Sequence, residues 1–396
     1  MPLPRIPPPR GPTLDWSSFR IVDAPGLSSI ENLANTAFTT SGRAAIYHAL
    51  RQLQLAPASA VLVPSYHCPT MVAPVILANL TVAYFGLRCD GLPNLDTIDA
   101  ATAAKSKAML VSHYFGLAHS LGEVRQWCDD RGIALIEDCA HCYFGEAGER
   151  PVGAWGDYST ASLSKFLPVP EGGLLASAHR PIPRLQLAPQ GFKAQIKGWI
   201  DVFETATKDK RFRGLNSALA FLFRFKNSRL QPQLRAAGPT ESAATSMMRD
   251  CDMSRIAQAP LGTTMILKAV LPRGRIIVRR QQNFASYARH FAHVEGAKPL
   301  FPLPLKTVAP YVFPLWVDDA DRVYHALRDQ GLPVFRWDRI WLGTPLLDGD
   351  VGPMWSRHVL QLLCHQDLSD ADIERTSSAI LGMLSNRQLA TVSTSQ

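Results

Sequence analysis

The stretch that decides the fold is IALIEDCAHC (133–142), together with its sequel GDYSTASLSKFLPVPEGGLLA (156–176). Ile133–Ile136 is a short, wholly apolar run, the mark of a strand buried on both faces. It ends in Glu137-Asp138, and since neighbours on a strand point to opposite faces, only one carboxylate can aim at a given ligand. Gly173-Leu174-Leu175-Ala176 reads as another buried strand. Working outward, Val61-Leu62-Val63, Val82-Ala83-Tyr84-Phe85 and Met109-Leu110-Val111 have the same character. Between them Arg43–Leu55, Met71–Leu80 and Leu121–Arg131 carry apolar residues at helical spacing, and Gly132 stands where a helix C-cap belongs. This alternation implies an α/β fold: a mostly parallel sheet with helices on both faces. Ligands of such sheets gather at the carboxyl ends of the strands.

The alternation breaks over 181–250, where Leu215–Leu230 (LNSALAFLFRFKNSRL) is apolar and basic at once and reads as a helix. Strand patterns return near Arg275–Val278 and Tyr311–Val317, followed by helical runs at Asp321–Gln330 and Asp370–Leu384. A chain of 396 residues exceeds one ordinary domain. The expected division is a proline-rich N-terminal arm (1–20), a large domain (21–260) with a basic helical insert at about 181–250, and a smaller C-terminal α+β domain (261–396). No internal repeat is visible.

Composition narrows the class. Hydrophobic residues make up 46% and charged residues 19%, a globular profile, and no apolar run reaches the ~18 residues of a membrane span. MPLPRIPPPRGP (1–12) lacks the apolar core of a secretory signal. Seven scattered cysteines suit reduced thiols, so a cytoplasmic location is expected. The net charge of +8 is uneven: between 190 and 235 ten Lys/Arg face three acidic residues, leaving +7. No base-reading motif accompanies them, so no nucleic-acid partner is expected. The stretch reads as a solvated face.

Three features carry chemistry. Lys165, in Ser162-Leu163-Ser164-Lys165, follows a strand end, where partial burial lowers an amine's pKa and frees it to form an imine. Asp138 at a neighbouring strand end can pair with a protonated pyridine nitrogen. Ser41-Gly42-Arg43-Ala44-Ala45 leads into a helix whose small residues and N-terminal N–H groups suit a phosphate.

SGRAAIYHAL (41–50), VLVPSYHCP (61–69), VSHYFG (111–116), IEDCAH (136–141), GDYSTASLSK (156–165) and EGG (171–173) resemble the DegT/DnrJ/StrS-type sugar aminotransferases of the fold type I pyridoxal-phosphate (PLP) enzymes. VLQLLCHQDLSDADIE (359–374) is similar to that family's closing strand–turn–helix. The resemblance implies a homodimer that uses PLP to move an amino group from an amino acid donor such as glutamate to a keto sugar of the nucleotide-linked kind, in polysaccharide or secondary-metabolite biosynthesis. It implies that Lys165 is the imine lysine and proton shuttle and that Asp138 pairs with the pyridine nitrogen. His141 falls where the family has Gln beside the ring oxygen. Gly42, Arg43 and Ala44 face the phosphate, with a hydroxyl from either Thr160 or Ser162. The family's ring-stacking aromatic falls near Cys68, too small for the task, leaving Tyr66 or His67 to stack. The family's Asn-x-Arg-Met element is not evident, and Cys251-Asp252-Met253-Ser254-Arg255 stands near its place.

Rival readings exist for several of these residues. Cys139-x-x-Cys142, with Glu137, Asp138, His67 and Cys68 nearby, invites a metal or redox site, but no second CxxC closes it; no metal is expected. Ser162-x-x-Lys165 matches a serine acyl-enzyme motif whose companion elements are absent. His113 and His119 could bind substrate but read as structural groups, and Glu171-Gly172-Gly173 could be a functional loop but reads as a tight turn opening a strand. Leu215–Leu230 could lie on a membrane, but its apolar residues are not confined to one face, which favours packing on a partner subunit; no stable membrane insertion is expected. A PLP-holding regulator or scaffold without catalysis is the remaining alternative.

Overall fold

The computed structural model describes residues 7–212, 214–227, 243–301 and 306–393. Fourteen strands are present among them: β1 Asn35–Thr39, β2 Ala60–Pro64, β3 Thr81–Leu87, β4 Pro93–Asn94, β5 Ser106–Ser112, β6 Ala134–Asp138, β7 Glu146–Ala147, β8 Arg150–Pro151, β9 Tyr158–Ser162, β10 Gly173–Ser177, β11 Ala297–Pro299, β12 Val312–Val317, β13 Val334–Phe335 and β14 Val359–Leu363. The helices are α1 Gly42–Gln52, α2 Pro69–Leu77, α3 Ala100–Lys105, α4 Gly122–Asp129, α5 Phe192–Lys208, α6 Asn216–Asn227, α7 Ala243–Asp250, α8 Gly262–Val270, α9 Gly274–His290, α10 Ala320–Asp329, α11 Gly352–His358 and α12 Asp370–Ser393.

Eight strands form the large sheet in the order β1-β10-β9-β6-β5-β2-β3-β4. The run β9-β6-β5-β2-β3 is parallel, while β10, β1 and β4 join antiparallel. Strand alternation divides its side chains cleanly. Val61, Val63, Ala108, Leu110, Ile136 and Leu175 pack under α1 and α2. Leu62, Met109, Val111 and Leu135 face the other way, onto α4 and the small sheet. That sheet, ordered β11-β12-β14-β13, is antiparallel throughout. A third cluster joins β9 and β10 to α5, α8 and the start of α9 through Ala161, Leu174, Val202, Leu267 and Ile277. The α/β class and the mostly parallel sheet are as the alternation implied.

One expected strand is a helix. Arg275–Val278 lies inside α9, whose buried residues Ile276, Ile277, Arg280, Asn283, Phe284 and Tyr287 recur at helical spacing. The apolar triplet had a strand's composition, but the period over the following two turns decides the element. The insert after β10 holds α5, α6 and α7; Arg213, Arg229 and Arg235 of its basic run lie outside the described residues, as does the end of the expected Leu215–Leu230 helix. No described helix is long and apolar enough to cross a membrane.

Fully buried Arg280 ties the two sheets together. Its guanidinium lies over the Phe166 ring at 4.3 Å. It donates to the Lys165 carbonyl (2.6 Å), to Pro310 and Tyr311 carbonyls (3.0 and 3.3 Å) and to Gln366 Oε1 (3.1 Å).

Candidate active site

A cavity of about 220 Å³ opens at the carboxyl ends of β5, β6 and β9, where α1 begins. Its walls carry Ser41–Arg43, Cys68, Ser112, Asp138, His141, Ser162 and Lys165. The placement follows from strand parity: Asp138 shares the α1 face with Ile136, so Glu137 must point the other way. Glu137 indeed turns inward, accepting backbone N–H groups of Gly153, Trp155 and Gly156 and meeting His113 Nε2 at 2.9 Å.

Asp138 is buried, with Oδ1 on the Ala140 N–H (3.0 Å) and Oδ2 accepting from Ser112 Oγ (3.3 Å). Burial raises its pKa above the ordinary carboxylate value, partly offset by the Lys165 cation. Lys165 follows β9 in a single helical turn, Leu163–Lys165. Burial of its amine lowers the pKa, while Asp138 and Cys68 pull it back up. Nζ lies 5.2 Å from the Tyr311 ring centre and has no hydrogen-bond or ion-pair partner among the described residues. A desolvated carboxylate and an unpaired amine thus face one small space.

His141 supplies a third group. Its Nδ1 accepts the Phe115 N–H (3.3 Å), and its ring stacks on Tyr311 at 4.4 Å. Burial, with Lys165 assisting, holds its pKa well below the usual histidine value. The ring is therefore neutral with its proton on Nε2, a hydrogen-bond donor. Phe115 can reach it because the chain turns sharply through Gly116 (φ 86°), where a Cβ would fall 2.3 Å from the Tyr311 nitrogen.

At the other end, Ser41 caps α1 by accepting the Ala44 N–H (3.3 Å). The helix start is pressed against β9 and β10: a Cβ on Gly173 would sit 2.1 Å from the Ser41 carbonyl oxygen. The first-turn N–H groups and the helix dipole form a site for an anion. Arg43 borders it, its Nε donating to the Asp252 carbonyl (3.0 Å).

The structure therefore gathers Gly42, Arg43, Asp138, His141, Ser162 and Lys165 around one cavity, but four expected residues stay outside it. Ala44 is buried behind the first turn of α1. Tyr66 packs among Tyr114, Phe115, Trp337 and Trp355. His67 turns under the sheet end, with Nδ1 on the Pro64 carbonyl and Nε2 accepting the Trp341 N–H. Neither aromatic can stack on a ligand in this cavity, because Pro64-Ser65 carries both past the strand end into the core. Thr160 lies one strand step below Ser162 on the same face, fully buried, its hydroxyl without a partner. Of the two hydroxyls, Ser162 is the one in the wall.

Cys139 and Cys142 are buried in different apolar clusters, free, with thiols whose pKa burial raises. Cys139, His113 and Glu137 do bring ligand atoms within 4.8 Å of one another. Glu137 is already saturated by three N–H groups and His113, and a neutral buried thiol is a poor ligand. This donor set is a structural knot beneath the cavity.

Sequence reading gave no site role to Ser112 or Trp337 and did not bring Glu171 and Arg255 together. Glu171 is buried and ion-paired to Arg255, so the EGG turn is more than a turn. Ser112 was visible in VSHYFG as the same-face neighbour of Leu110. Trp337 gave no signal, being 172 residues beyond Lys165.

Residues 32–183, which span β1, the cavity-forming strands and β10, match the DegT/DnrJ/EryC1/StrS aminotransferase family. Through this segment the chain is similar to that family. Among curated proteins it is 27% identical over 168 residues to GDP-perosamine synthase of Vibrio cholerae, covering 41% of this chain and 46% of that one. To dTDP-4-dehydro-2,3,6-trideoxy-D-glucose 4-aminotransferase of Saccharopolyspora spinosa it is 30% identical over 151 residues, covering 36% of this chain and 37% of that one. The chain thus spans less than half the length of these curated relatives. The fold likeness runs further: the crystal structure of the aminotransferase TlmJ from Streptoalloteichus hindustanus superposes with a TM-score of 0.61 at 17% identity, over 89% of this chain and 87% of that chain.

Proposed function

We propose that the protein is a PLP-dependent aminotransferase that passes an amino group from an amino acid, glutamate in the first instance, to the keto group of a nucleotide-linked sugar, working as a cytoplasmic homodimer. The observation that carries this reading is the presence of Asp138 and Lys165 in the wall of one cavity at the start of α1. The residues present fit the cofactor. Its phosphate matches the anion site formed by Ser41–Arg43 and the Ser162 hydroxyl, and its pyridine nitrogen matches Asp138. Its ring oxygen matches the His141 Nε2 proton, and its aldehyde carbon the Lys165 amine. The family of 32–183 and the nucleotide sugars in its relatives' names support the substrate class.

When bound, PLP supplies an electron sink for the bond broken at the donor carbon. The chain's residues do the rest. Asp138, anchored by Ser112 and the Ala140 N–H, is a carboxylate that burial leaves short of countercharge; it therefore holds a proton on a facing nitrogen. Lys165, whose amine burial shifts toward the free base, would take the donor carbon's proton onto Nζ and hold it beside the carbon that would receive it. The His141 Nε2 proton orients the ring through its oxygen, and the α1 terminus fixes the phosphate. Apolar Met71 and Ile46 line the cavity and limit water.

The test is the donor half-reaction with no sugar present. The cofactor-loaded protein mixed with excess L-glutamate should release 2-oxoglutarate stoichiometrically, and a nucleotide-linked keto sugar should then restore the starting absorbance. If no common amino donor yields its keto acid, the scaffold reading replaces this one.

A further inference from the structure

The segment 336–341 (RWDRIW) leaves the edge strand β13 without regular structure and crosses from the small sheet to the large one. Both ends are fastened. At the near end Arg336 donates to the Ser356 carbonyl (3.0 Å) and pairs with Asp321, while Ser356 Oγ donates to the Trp337 carbonyl (2.6 Å). At the far end Trp341 is buried in the cluster beneath α1 and α2, and its N–H donates to His67 Nε2 at 2.9 Å. His67 is itself fixed by the Pro64 carbonyl at 2.8 Å and stacks on Tyr84. Between these anchors Arg339 reaches Asp250 at 2.6 Å.

Trp337 is the residue this strap delivers to the cavity. It is half-buried, with its ring 5.0 Å from His141 and 5.3 Å from Tyr66, and it lines the wall together with Lys165 and Asp138. Among the wall residues Trp337 alone carries an indole, beside the cofactor groups, the Glu171–Arg255 pair and the smaller side chains of Ile46, Cys68, Thr70 and Met71. Its flat apolar face suits the C–H face of a sugar ring, with the indole N–H as a polar handle.

We infer that Trp337 is a specificity-determining residue that packs against the sugar of the acceptor, and that His67 is its positioning residue, acting through Trp341. The inference rests on the proposed acceptor class but not on turnover. Trp337→Ala removes the wall, so acceptor KM rises about tenfold or more, in line with truncation of a buried aromatic contact. The glutamate half-reaction, which needs no sugar, falls by a clearly smaller factor than acceptor KM rises, and Trp337→Phe recovers most of the loss. His67→Ala shows the same split in weaker form, and His67→Gln, whose Oε1 can accept the Trp341 N–H, rescues it; a merely structural loss would lower both half-reactions together. Equilibrium binding of dTDP-glucose, UDP-glucose and GDP-mannose to the cofactor-loaded protein gives a readout independent of activity. At least one binds, and Trp337→Ala weakens it about tenfold with cofactor content unchanged. Equal binding by Trp337→Ala and the unaltered protein, or no binding of any probe to the unaltered protein, overturns the inference. Trp337-dependent binding without a glutamate half-reaction overturns the aminotransferase reading and leaves the inference standing.

Discussion

Arg280 is the place to strike if the site depends on the joint between the two sheets. It is a buried cation with no carboxylate bridging it among the described residues, where its four acceptors are the carbonyls of Lys165, Pro310 and Tyr311 and the side chain of Gln366. Burial pulls its pKa down to about 10 from the usual 12.5, so the group is still charged at neutral pH. That depression corresponds to about 3 kcal/mol for keeping the charge inside. Each charge-assisted hydrogen bond offsets about 2 kcal/mol. Arg280→Met keeps much of the volume, removes the desolvated charge and leaves the carbonyls without a donor. The balance is a loss of about 3–5 kcal/mol, the range seen when one side of a buried polar network is deleted. Arg280→Lys restores the charge but not the planar fork, and should recover less than half. Urea unfolding of the three proteins at matched cofactor saturation reads these differences. Because the Lys165 carbonyl is one of the acceptors, Arg280→Met should also slow the glutamate half-reaction about tenfold under conditions where the variant is folded. A destabilisation below about 1 kcal/mol would show that water or repacking satisfies the carbonyls and that Arg280 does not hold Lys165 in place.

Lys165→Ala should fold with unaltered stability, lose the visible absorbance of the lysine-bound cofactor on dialysis, and lose the half-reaction; absorbance that survives dialysis assigns the linkage to another residue. Asp138→Asn should retain cofactor but lower turnover about 10²–10⁴-fold, whereas Cys139→Ser with Cys142→Ser should change it less than about threefold, as neutral thiols outside the cavity would; a dead double-serine variant with an active Asp138→Asn would move the chemistry to the cysteines. Acid should destabilise the protein through His67. Burial holds its pKa down at about 4, so between about pH 6.5 and 4 the unfolded chain binds a proton the folded one does not, and stability falls as pH falls through that window by up to about 3 kcal/mol. His67→Gln should flatten that part of the unfolding profile, and an unchanged slope would show that His67 is not held neutral.

The parallel sheet, and several of the strand ends that meet at the cavity, were legible in the sequence. Apolar runs at 61–63, 109–111 and 133–136 are buried on both faces, which only a sheet covered by helices provides. Parity along β6 and β5 then places Asp138 and Ser112 on one face, and the Ser41 cap places an anion site at the start of α1. All of this is local: period, cap and strand parity act within a few residues. What sequence could not decide depends on where the chain goes after a strand ends. Tyr66 and His67 follow β2 as directly as Lys165 follows β9, yet Pro64-Ser65 carries them into the core, because Tyr66 gains an aromatic cluster there and His67 an N–H from Trp341. Arg275–Val278 had a strand's composition and became helix because its buried face continues to Tyr287. Trp337 and Arg280 reach the site from beyond residue 270, carried by packing between two sheets that no local pattern encodes. Tertiary structure decides such residues because burial and hydrogen-bond satisfaction are settled between segments, while sequence periodicity speaks only for the segment that carries it.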